Sequence, residues 1–279
     1  MARRRIPDWP IYALLVGGLL WYAFTGRERQ PAPEPPPPLS AEAPIDGEAL
    51  PAASAFDPVV MVEAGQRPQT GFGTAFSVDR GGTWMTARHV VDGCTEVSII
   101  TDRGRGVRAR GWVDPNADIA VIYTEGASAA LPLAARSLRI GERAYHLGFP
   151  QGRPGEATSR LIGREQLNVL GRGAREEPVL AWAETGRTEG LQGTLGGLSG
   201  GPAVDANGRV VGVTVAEQPR RGRIYTTAPE TFYAAVEARV PERRGVAPVP
   251  APTPDSYGRV GDALRRTLRV APVVCLSVS

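Results

Sequence analysis

Short runs in which apolar and polar residues alternate dominate the chain between about residue 57 and residue 227. A period of two is typical of strands that bury one face, and the Gly, Asp and Pro residues at the breaks predict turns. The first half of this region predicts six strands: Val59–Glu63, Gly73–Val78, Thr83–Ala87, Glu96–Thr101, Val107–Val113 and Ile119–Glu125. The second half predicts Arg143–Phe149, Thr158–Gly163, Gln166–Leu170, Val179–Thr185, Gly201–Val204, Val210–Val215 and Arg223–Thr227. We therefore expect an all-β fold in which the first six strands form one β-barrel and the remaining strands form a second.

The pattern changes after these strands. Pro229–Val240 predicts an amphipathic C-terminal helix that starts near its proline, and Tyr257–Arg269 predicts a short Arg-rich helix. Val270–Val278 is apolar and β-branched, which predicts one more strand, because it is too short to span a bilayer. We place the folded domain at residues 56–240 and a Pro-rich C-terminal tail at residues 241–279, whose role the sequence does not indicate.

The N-terminal end has the pattern of a membrane segment. Arg3, Arg4 and Arg5 precede an apolar stretch from Trp9 to Phe24 with aromatic residues near both ends. Such a segment predicts a basic cytoplasmic head and a transmembrane signal-anchor over residues 1–24, in contact with lipid through residues 9–24, with the remainder exported. A cleaved signal peptide is the alternative. Residues 25–55 are rich in proline and predict an extended linker.

Composition narrows the range of partners. The chain has 279 residues, 42% of them hydrophobic, and a net charge of +3, which fits an ordinary globular core. Its basic residues are all arginine. One cluster, Arg103, Arg105, Arg108 and Arg110, has no interleaved aromatic residues, so we interpret it as a solvated hairpin face and expect no nucleic-acid partner.

Two cysteines, Cys94 and Cys275, leave two alternatives open. If the domain is exported, they are expected to form a disulfide that ties the C-terminal tail to the first barrel. Otherwise they are two free thiols.

Three separate segments carry the candidate chemistry. His89 lies in Thr86–Val91, Asp118 follows Asn116 and Ala117 before an apolar run, and Ser199 lies in Gly197–Pro202. A serine hydroxyl needs a neighbouring base to act as a nucleophile at neutral pH, and histidine has a suitable pKa. A carboxylate behind the imidazole holds its tautomer and stabilises its charged form. We therefore predict His89 as general base and acid, Asp118 as the orienting group and Ser199 as the nucleophile.

Backbone amides at Gly197 and Ser199 are the predicted oxyanion hole. The second histidine, His146, lies in a predicted strand and is interpreted as structural. The two histidines lack the spacing of metal ligands, so we expect no metal and no organic cofactor.

These segments resemble the trypsin-like serine endopeptidases, and most closely the bacterial Deg/HtrA-like branch. The resemblance covers about residues 57–240 and includes Gly73–Val78 and Gly208–Val213. It implies a chymotrypsin-like, all-β fold of two six-stranded Greek-key β-barrels and peptide-bond hydrolysis through an acyl-enzyme. Leu198 departs from the family, which usually has Asn or Asp before the nucleophile, so we expect no activation by N-terminal clipping and an oxyanion turn that is only partly ordered at rest. The roughly 40 residues after the domain are too short for a PDZ domain.

The resemblance also implies a specificity pocket, in segments that contain no acidic residue, so we expect a small or medium-sized apolar residue before the scissile bond. It implies a periplasmic or extracellular domain tethered by a single pass to a bacterial inner membrane. The alternatives are a non-catalytic module that binds exposed peptides or a partner protein, and an esterase-like or self-processing enzyme with a narrow target. The sequence does not indicate the oligomeric state. The pocket residues are Gly193, Thr194, Thr214, Val215, Ala216 and Thr226.

Overall fold

A computed structural model describes residues 47–64, 70–101, 104–135, 137–171 and 173–277. The chain divides into two compact units, Met1–Glu34 and Pro35–Ser279, and all described residues belong to the second. The predicted basic head, the membrane segment at residues 9–24 and most of the predicted linker lie outside the described residues. Within the described ranges, every helix is too short or too polar to cross a bilayer.

The first barrel is a closed ring of six antiparallel strands. The C-terminal strand of the chain closes this ring by pairing with a strand on each side. The predicted tail over residues 241–279 therefore supplies a barrel strand. The assignment of Val59–Glu63 to this barrel was wrong, because that segment pairs elsewhere. In order around the ring, the strands are β13 (Val270–Leu276), β2 (Gly71–Asp79), β3 (Thr83–Thr86), β6 (Ala120–Tyr123), β5 (Gly106–Val113) and β4 (Glu96–Ile100), which pairs again with β13.

The second barrel is built from β7 (Arg143–Gly148), β8 (Gly155–Gly171), β9 (Arg175–Arg187), β10 (Pro202–Asp205), β11 (Val210–Gln218) and β12 (Arg223–Thr227). Their antiparallel pairings run in a ring, from β8 through β7, β10, β11 and β12 to β9, which returns to β8. The predicted strands Thr158–Gly163 and Gln166–Leu170 are one strand, β8, with register shifts inside it. The remaining strand, β1 (Val59–Ala64), pairs in parallel with β8.

Three α-helices and two short 3₁₀ helices, Pro150–Gly152 and Pro219–Arg221, complete the described residues. The single turn α1 (Arg88–Val91) follows β3, and the two predicted C-terminal helices are present as α2 (Pro229–Arg239) and α3 (Tyr257–Arg266). One buried apolar cluster contains side chains of both barrels and of α2 and α3. The barrels therefore share a core, which fixes the chain segments that meet between them.

A disulfide joins Cys94, which follows α1, to Cys275 in β13. It links the segment after His89 covalently to the strand that closes the same barrel.

Candidate active site

His89 and Asp118 meet at the edge of the first barrel. The His89 Nδ1 atom lies 2.6 Å from Asp118 Oδ2, and the His89 backbone N–H donates to Asp118 Oδ1 at 2.9 Å. Arg88 holds the two segments together, because its Nη1 atom donates to the carbonyl oxygens of Asp114 and Pro115, each at 2.9 Å. The carboxylate therefore contacts both the ring and the backbone of the histidine.

The environment of this pair shifts both pKa values. Burial alone would lower the pKa of His89, but the charge of Asp118 and its hydrogen bond outweigh burial and raise it above its usual 6.5. The ring keeps 43% of its surface exposed, which weakens desolvation and supports this direction. Burial would raise the pKa of Asp118, but His89, followed by Arg175, lowers it. The Asp118 side chain is only 4% exposed and remains ionised at neutral pH.

Two further ionisable side chains lie behind Asp118, and sequence analysis missed both. Glu177 Oε2 accepts the Asp118 backbone N–H at 2.7 Å, and Arg175 Nη2 lies 3.4 Å from Asp118 Oδ2. Both residues belong to β9 of the second barrel. Burial, with the negative charge of Asp118 as the next cause, raises the pKa of Glu177 to about 7. In sequence these residues have the composition of an exposed hairpin end, so no local signal marked them.

Ser199 lies on a tight turn that is packed against the segments around His89. A Cβ atom placed on Gly200, where φ is +87°, would lie 2.1 Å from Thr74 O and 2.9 Å from Ala87 N. One placed on Gly73 would lie 2.6 Å from Val90 Cγ1 and 2.9 Å from Ser199 O. Only glycine permits this approach of the Ser199 turn to the residues on either side of His89. Among the described residues, Ser199 Oγ makes no hydrogen bond to the His89 ring.

The predicted oxyanion amides lie on the same turn. Gly197 has φ of +98°, and its carbonyl accepts the Thr74 hydroxyl at 2.8 Å. The Gly196 carbonyl accepts the Gln151 N–H at 2.6 Å, and in a trans peptide this directs the Gly197 N–H to the opposite side. In the part of the chain that the structure describes, the Gly197 and Ser199 amides donate to no protein acceptor. Both amides are therefore free to bind an oxyanion.

Leu198 stabilises this turn through apolar packing. Its side chain is 1% exposed and belongs to a second buried apolar cluster, and its N–H donates to Leu195 O at 2.8 Å. In this structure, buried packing and the bonds from Gln151 and Thr74 brace the turn, and the expected partial order at rest stays a prediction.

Residues 192–195 precede this turn and form a segment that we call the wall. Other parts of the second barrel hydrogen-bond to it on two sides. Gln151 Nε2 donates to Gln192 O at 2.6 Å and to Thr194 O at 2.8 Å, and Arg187 Nη1 donates to Gly193 O at 2.8 Å. On the other side, Glu217 accepts the Leu195 N–H at 2.8 Å and also accepts the Thr194 hydroxyl. Sequence analysis missed both Gln151 and Glu217, and Glu217 directly follows the predicted pocket segment.

The predicted pocket residues divide into three groups. Gly193 and Thr194 are exposed and lie on this wall, whereas Val215 and Ala216 lie at a register shift in β11. Thr214 and Thr226 are buried, and their hydroxyls bond to His146 Nδ1 and Trp182 Nε1 inside the second barrel. Their side chains therefore serve the barrel interior.

His146 has the structural role that its strand position predicts. Its two ring nitrogens bond to the Thr214 and Ser159 hydroxyls at 3.0 and 2.7 Å. Complete burial lowers its pKa to about 3, so the ring is neutral throughout the physiological range.

Comparison with known proteins identifies a protein family whose sequence model matches this chain. The sequence model described as "Trypsin-like peptidase domain" matches residues 73–213. The putative serine protease HhoA of Synechocystis sp. is 32% identical over 160 residues, which make up 54% of this chain and 38% of that protein. A probable periplasmic serine endoprotease, DegP-like, of Bartonella henselae is 28% identical over 155 residues, or 52% of this chain and 28% of that protein. The chain thus spans less than half the length of these curated relatives.

Among solved structures, the active form of the Rv3671c protease from M. tuberculosis is 18% identical with a TM-score of 0.48, covering 72% of this chain and 95% of that chain. The HtrA-type protease AlgW with a decapeptide is also 18% identical, with a TM-score of 0.48, covering 61% of this chain and 52% of that chain.

Proposed function

Because the chain belongs to the family of trypsin-like peptidase domains and has the corresponding mostly β, chymotrypsin-like fold, we propose that it is a serine endopeptidase. One observation carries the proposal: the 2.6 Å contact between His89 and Asp118 stands beside a glycine turn whose Gly197 and Ser199 amides are unused by the described protein groups. A carboxylate-oriented imidazole and two free donors around one serine are the parts that acyl transfer needs.

The proposed reaction begins with attack of Ser199 Oγ on the scissile carbonyl while His89 Nε2 takes the hydroxyl proton. The tetrahedral oxyanion accepts hydrogen bonds from the Gly197 and Ser199 amides. His89 then protonates the leaving amine, which leaves an acyl-enzyme, and water repeats the sequence to release the acid. Asp118 stabilises the imidazolium at each step. The Ser199–His89 hydrogen bond has to form on substrate binding, as catalytic hydrogen bonds often do.

A fluorophosphonate probe tests this assignment, because it reacts only with an activated serine. We expect labelling of the full chain, and loss of labelling in Ser199→Ala and His89→Ala. Ser256→Ala, which changes a serine at the start of α3, is the matched control and should label normally. Absence of labelling in the unmodified chain, with an intact fold, would refute the proposal.

The missing Ser199–His89 bond favours one second candidate, a non-catalytic module that binds exposed peptides or a partner protein. In that case Ser199→Ala should bind an unfolded model polypeptide as tightly as the unmodified chain, and neither protein should cleave it. Cleavage by the unmodified chain alone supports the endopeptidase and excludes this candidate.

For specificity, we propose a small or medium-sized apolar residue before the scissile bond. Glu217 brings a carboxylate to the wall, but that carboxylate already accepts the Leu195 amide and the Thr194 hydroxyl. Cleavage profiling with a peptide library tests the proposal, and a profile dominated by Arg or Lys would contradict it.

We further propose that residues 9–24 tether the enzyme to a bacterial inner membrane, with the catalytic domain on the periplasmic or extracellular side. The Cys94–Cys275 disulfide supports export, since disulfides persist in oxidising compartments. The Bartonella henselae relative is itself described as periplasmic. Alkaline extraction of membranes and digestion of intact spheroplasts test the tether and the side. Release by carbonate, or protection of the domain in intact spheroplasts, would contradict it.

A further inference from the structure

The long β8–β9 hairpin of the second barrel brings two charged side chains to the back of Asp118, where the proposed mechanism gives them no part. Arg175 uses every part of its guanidinium: Nε contacts Glu177 Oε1 at 2.9 Å, Nη1 donates to Gly173 O at 3.1 Å, and Nη2 lies 3.4 Å from Asp118 Oδ2. We infer that Arg175 and Glu177 are positioning residues that hold Asp118 from the second barrel and thereby orient the His89 ring. The inference rests on the proposed function for its catalytic consequence.

The arrangement fixes Asp118 at separate atoms. Its backbone N–H is held by Glu177, its Oδ1 atom by the His89 backbone, and its Oδ2 atom is shared between the His89 ring and Arg175. Because contacts from both barrels converge on one residue, a shift between the barrels would move the carboxylate relative to the ring. The hairpin therefore couples the packing of the barrels to the orientation of the base.

The burial of the Arg175–Glu177 pair indicates that the pair orients Asp118 more than it stabilises the fold. The Arg175 and Glu177 side chains are 8% and 1% exposed. Removing two charges from water costs several kcal/mol per ion, and a buried ion pair is often no more stabilising than apolar residues of the same volume. A defined orientation of Asp118 is a gain that an apolar pair could not supply.

Opposite charges on the two residues also balance each other at the catalytic pair. Arg175 lowers the pKa of His89, and Glu177 raises it. The segments that carry His89 and Asp118 contribute Arg88 in α1, Asp92 directly after it at 3.2 Å from Arg88, and Asp114 in the loop before Asp118. None of these three changes in the variants below, so opposite effects on His89 identify Arg175 and Glu177 as the source.

The test is a titration of His89 by nuclear magnetic resonance on the full chain, labelled with 13C-histidine and prepared without a histidine tag. The chain has two histidines, and the pKa of His146 is lowered to about 3, so one imidazole titrates between pH 5 and 9. We expect Arg175→Met to raise the pKa of His89 and Glu177→Gln to lower it. The double variant should return close to the unmodified value.

Glu176→Gln is the matched control, because Glu176 is the exposed neighbour of Glu177 on β9 and bonds to Asn168. It should leave the pKa of His89 unchanged. Arg175→Lys keeps the charge but not the planar fork of the guanidinium. The pKa of His89 should therefore stay near its unmodified value, while kcat falls and KM stays unchanged. For Arg175→Met we expect kcat to fall about 10- to 100-fold, the loss typical of a misplaced catalytic group.

Shifts in the same direction for both variants, or an equal shift in Glu176→Gln, would overturn the inference in favour of general structural damage. Unchanged pKa and kcat in a folded Arg175→Met or Glu177→Gln protein would also overturn it. The titration needs no activity, so it separates this inference from the proposed function: failure of fluorophosphonate labelling with opposite pKa shifts refutes only the enzymatic proposal.

Discussion

Replacing Thr74 with valine tests how the first barrel holds the oxyanion turn of the second. Thr74 is fully buried, and its hydroxyl donates to Gly197 O at 2.8 Å while accepting the Phe149 N–H at 3.1 Å. Its backbone N–H also donates to Ser199 O at 2.8 Å, and that bond survives the substitution. Valine has nearly the same shape, so the change removes the two hydroxyl bonds and little else.

The expected size follows from the two backbone groups that lose their partner. Each buried polar group left unsatisfied costs about 1–3 kcal/mol, so a rigid turn would lower the free energy of unfolding by about 2–6 kcal/mol. If the turn instead changes shape so that Gly197 O finds another partner, stability is partly restored, but the Gly197 and Ser199 amides on that turn no longer point to one site. Loss of one oxyanion donor lowers kcat by about 10²–10³. Either stability or activity must therefore fall.

Urea unfolding and the rate constant of fluorophosphonate labelling measure the two outcomes on the same samples. Thr74→Ser is the control: it keeps both hydroxyl bonds and loses one methyl group, which costs about 1 kcal/mol, and should label at nearly the normal rate. A Thr74→Val protein that unfolds within about 0.5 kcal/mol of the unmodified chain and labels equally fast would refute the reasoning. So would a Thr74→Ser protein as impaired as Thr74→Val.

Four further predictions concern the disulfide, the base and the wall, and the base gives two of them. Replacing Cys94 and Cys275 by serine removes a link across 181 residues and should lower the free energy of unfolding by about 2–5 kcal/mol; equal urea midpoints with and without the link would contradict this. Because His89 must be neutral to act as a base and its pKa is raised, kcat/KM should fall with decreasing pH through a midpoint above 6.5, and a midpoint well below 6.5 would be inconsistent. The same raised pKa means that the stabilisation from this pair is complete below about pH 6.5 and is lost as pH rises through the folded pKa, as pH-dependent unfolding can verify. Glu217→Ala removes the acceptor of the Leu195 amide, so KM for peptide substrates should rise about tenfold, the equivalent of about 1.4 kcal/mol; an unchanged KM would show that the wall does not need this bond.

Local pattern was sufficient for most of the elements. Period-two alternation identified the barrel strands, and proline marked the start of α2 at Pro229. The segments around His89, Asp118 and Ser199 were recognisable because their chemistry requires particular residue types in a short stretch. The structure brings His89 and Asp118 into contact and packs the Ser199 turn beside them.

Strand partners were not decided by local pattern. An alternating strand buries one face against whichever neighbour the chain offers, so Val59–Ala64 and Val270–Leu276 were equally plausible members of either barrel. Long-range packing pairs Val59–Ala64 with β8 and places Val270–Leu276 in the barrel that carries His89.

The charged network behind the site was equally invisible in the sequence. Arg175, Glu177 and Glu217 have the composition of solvent-exposed hairpin residues, and nothing in their neighbours distinguishes a buried charge from a solvated one. Sequence alone therefore determined which groups are candidates for the chemistry, because reactivity depends on residue type. Only the tertiary structure decided what holds those groups, because burial and partner distance arise when remote segments pack together.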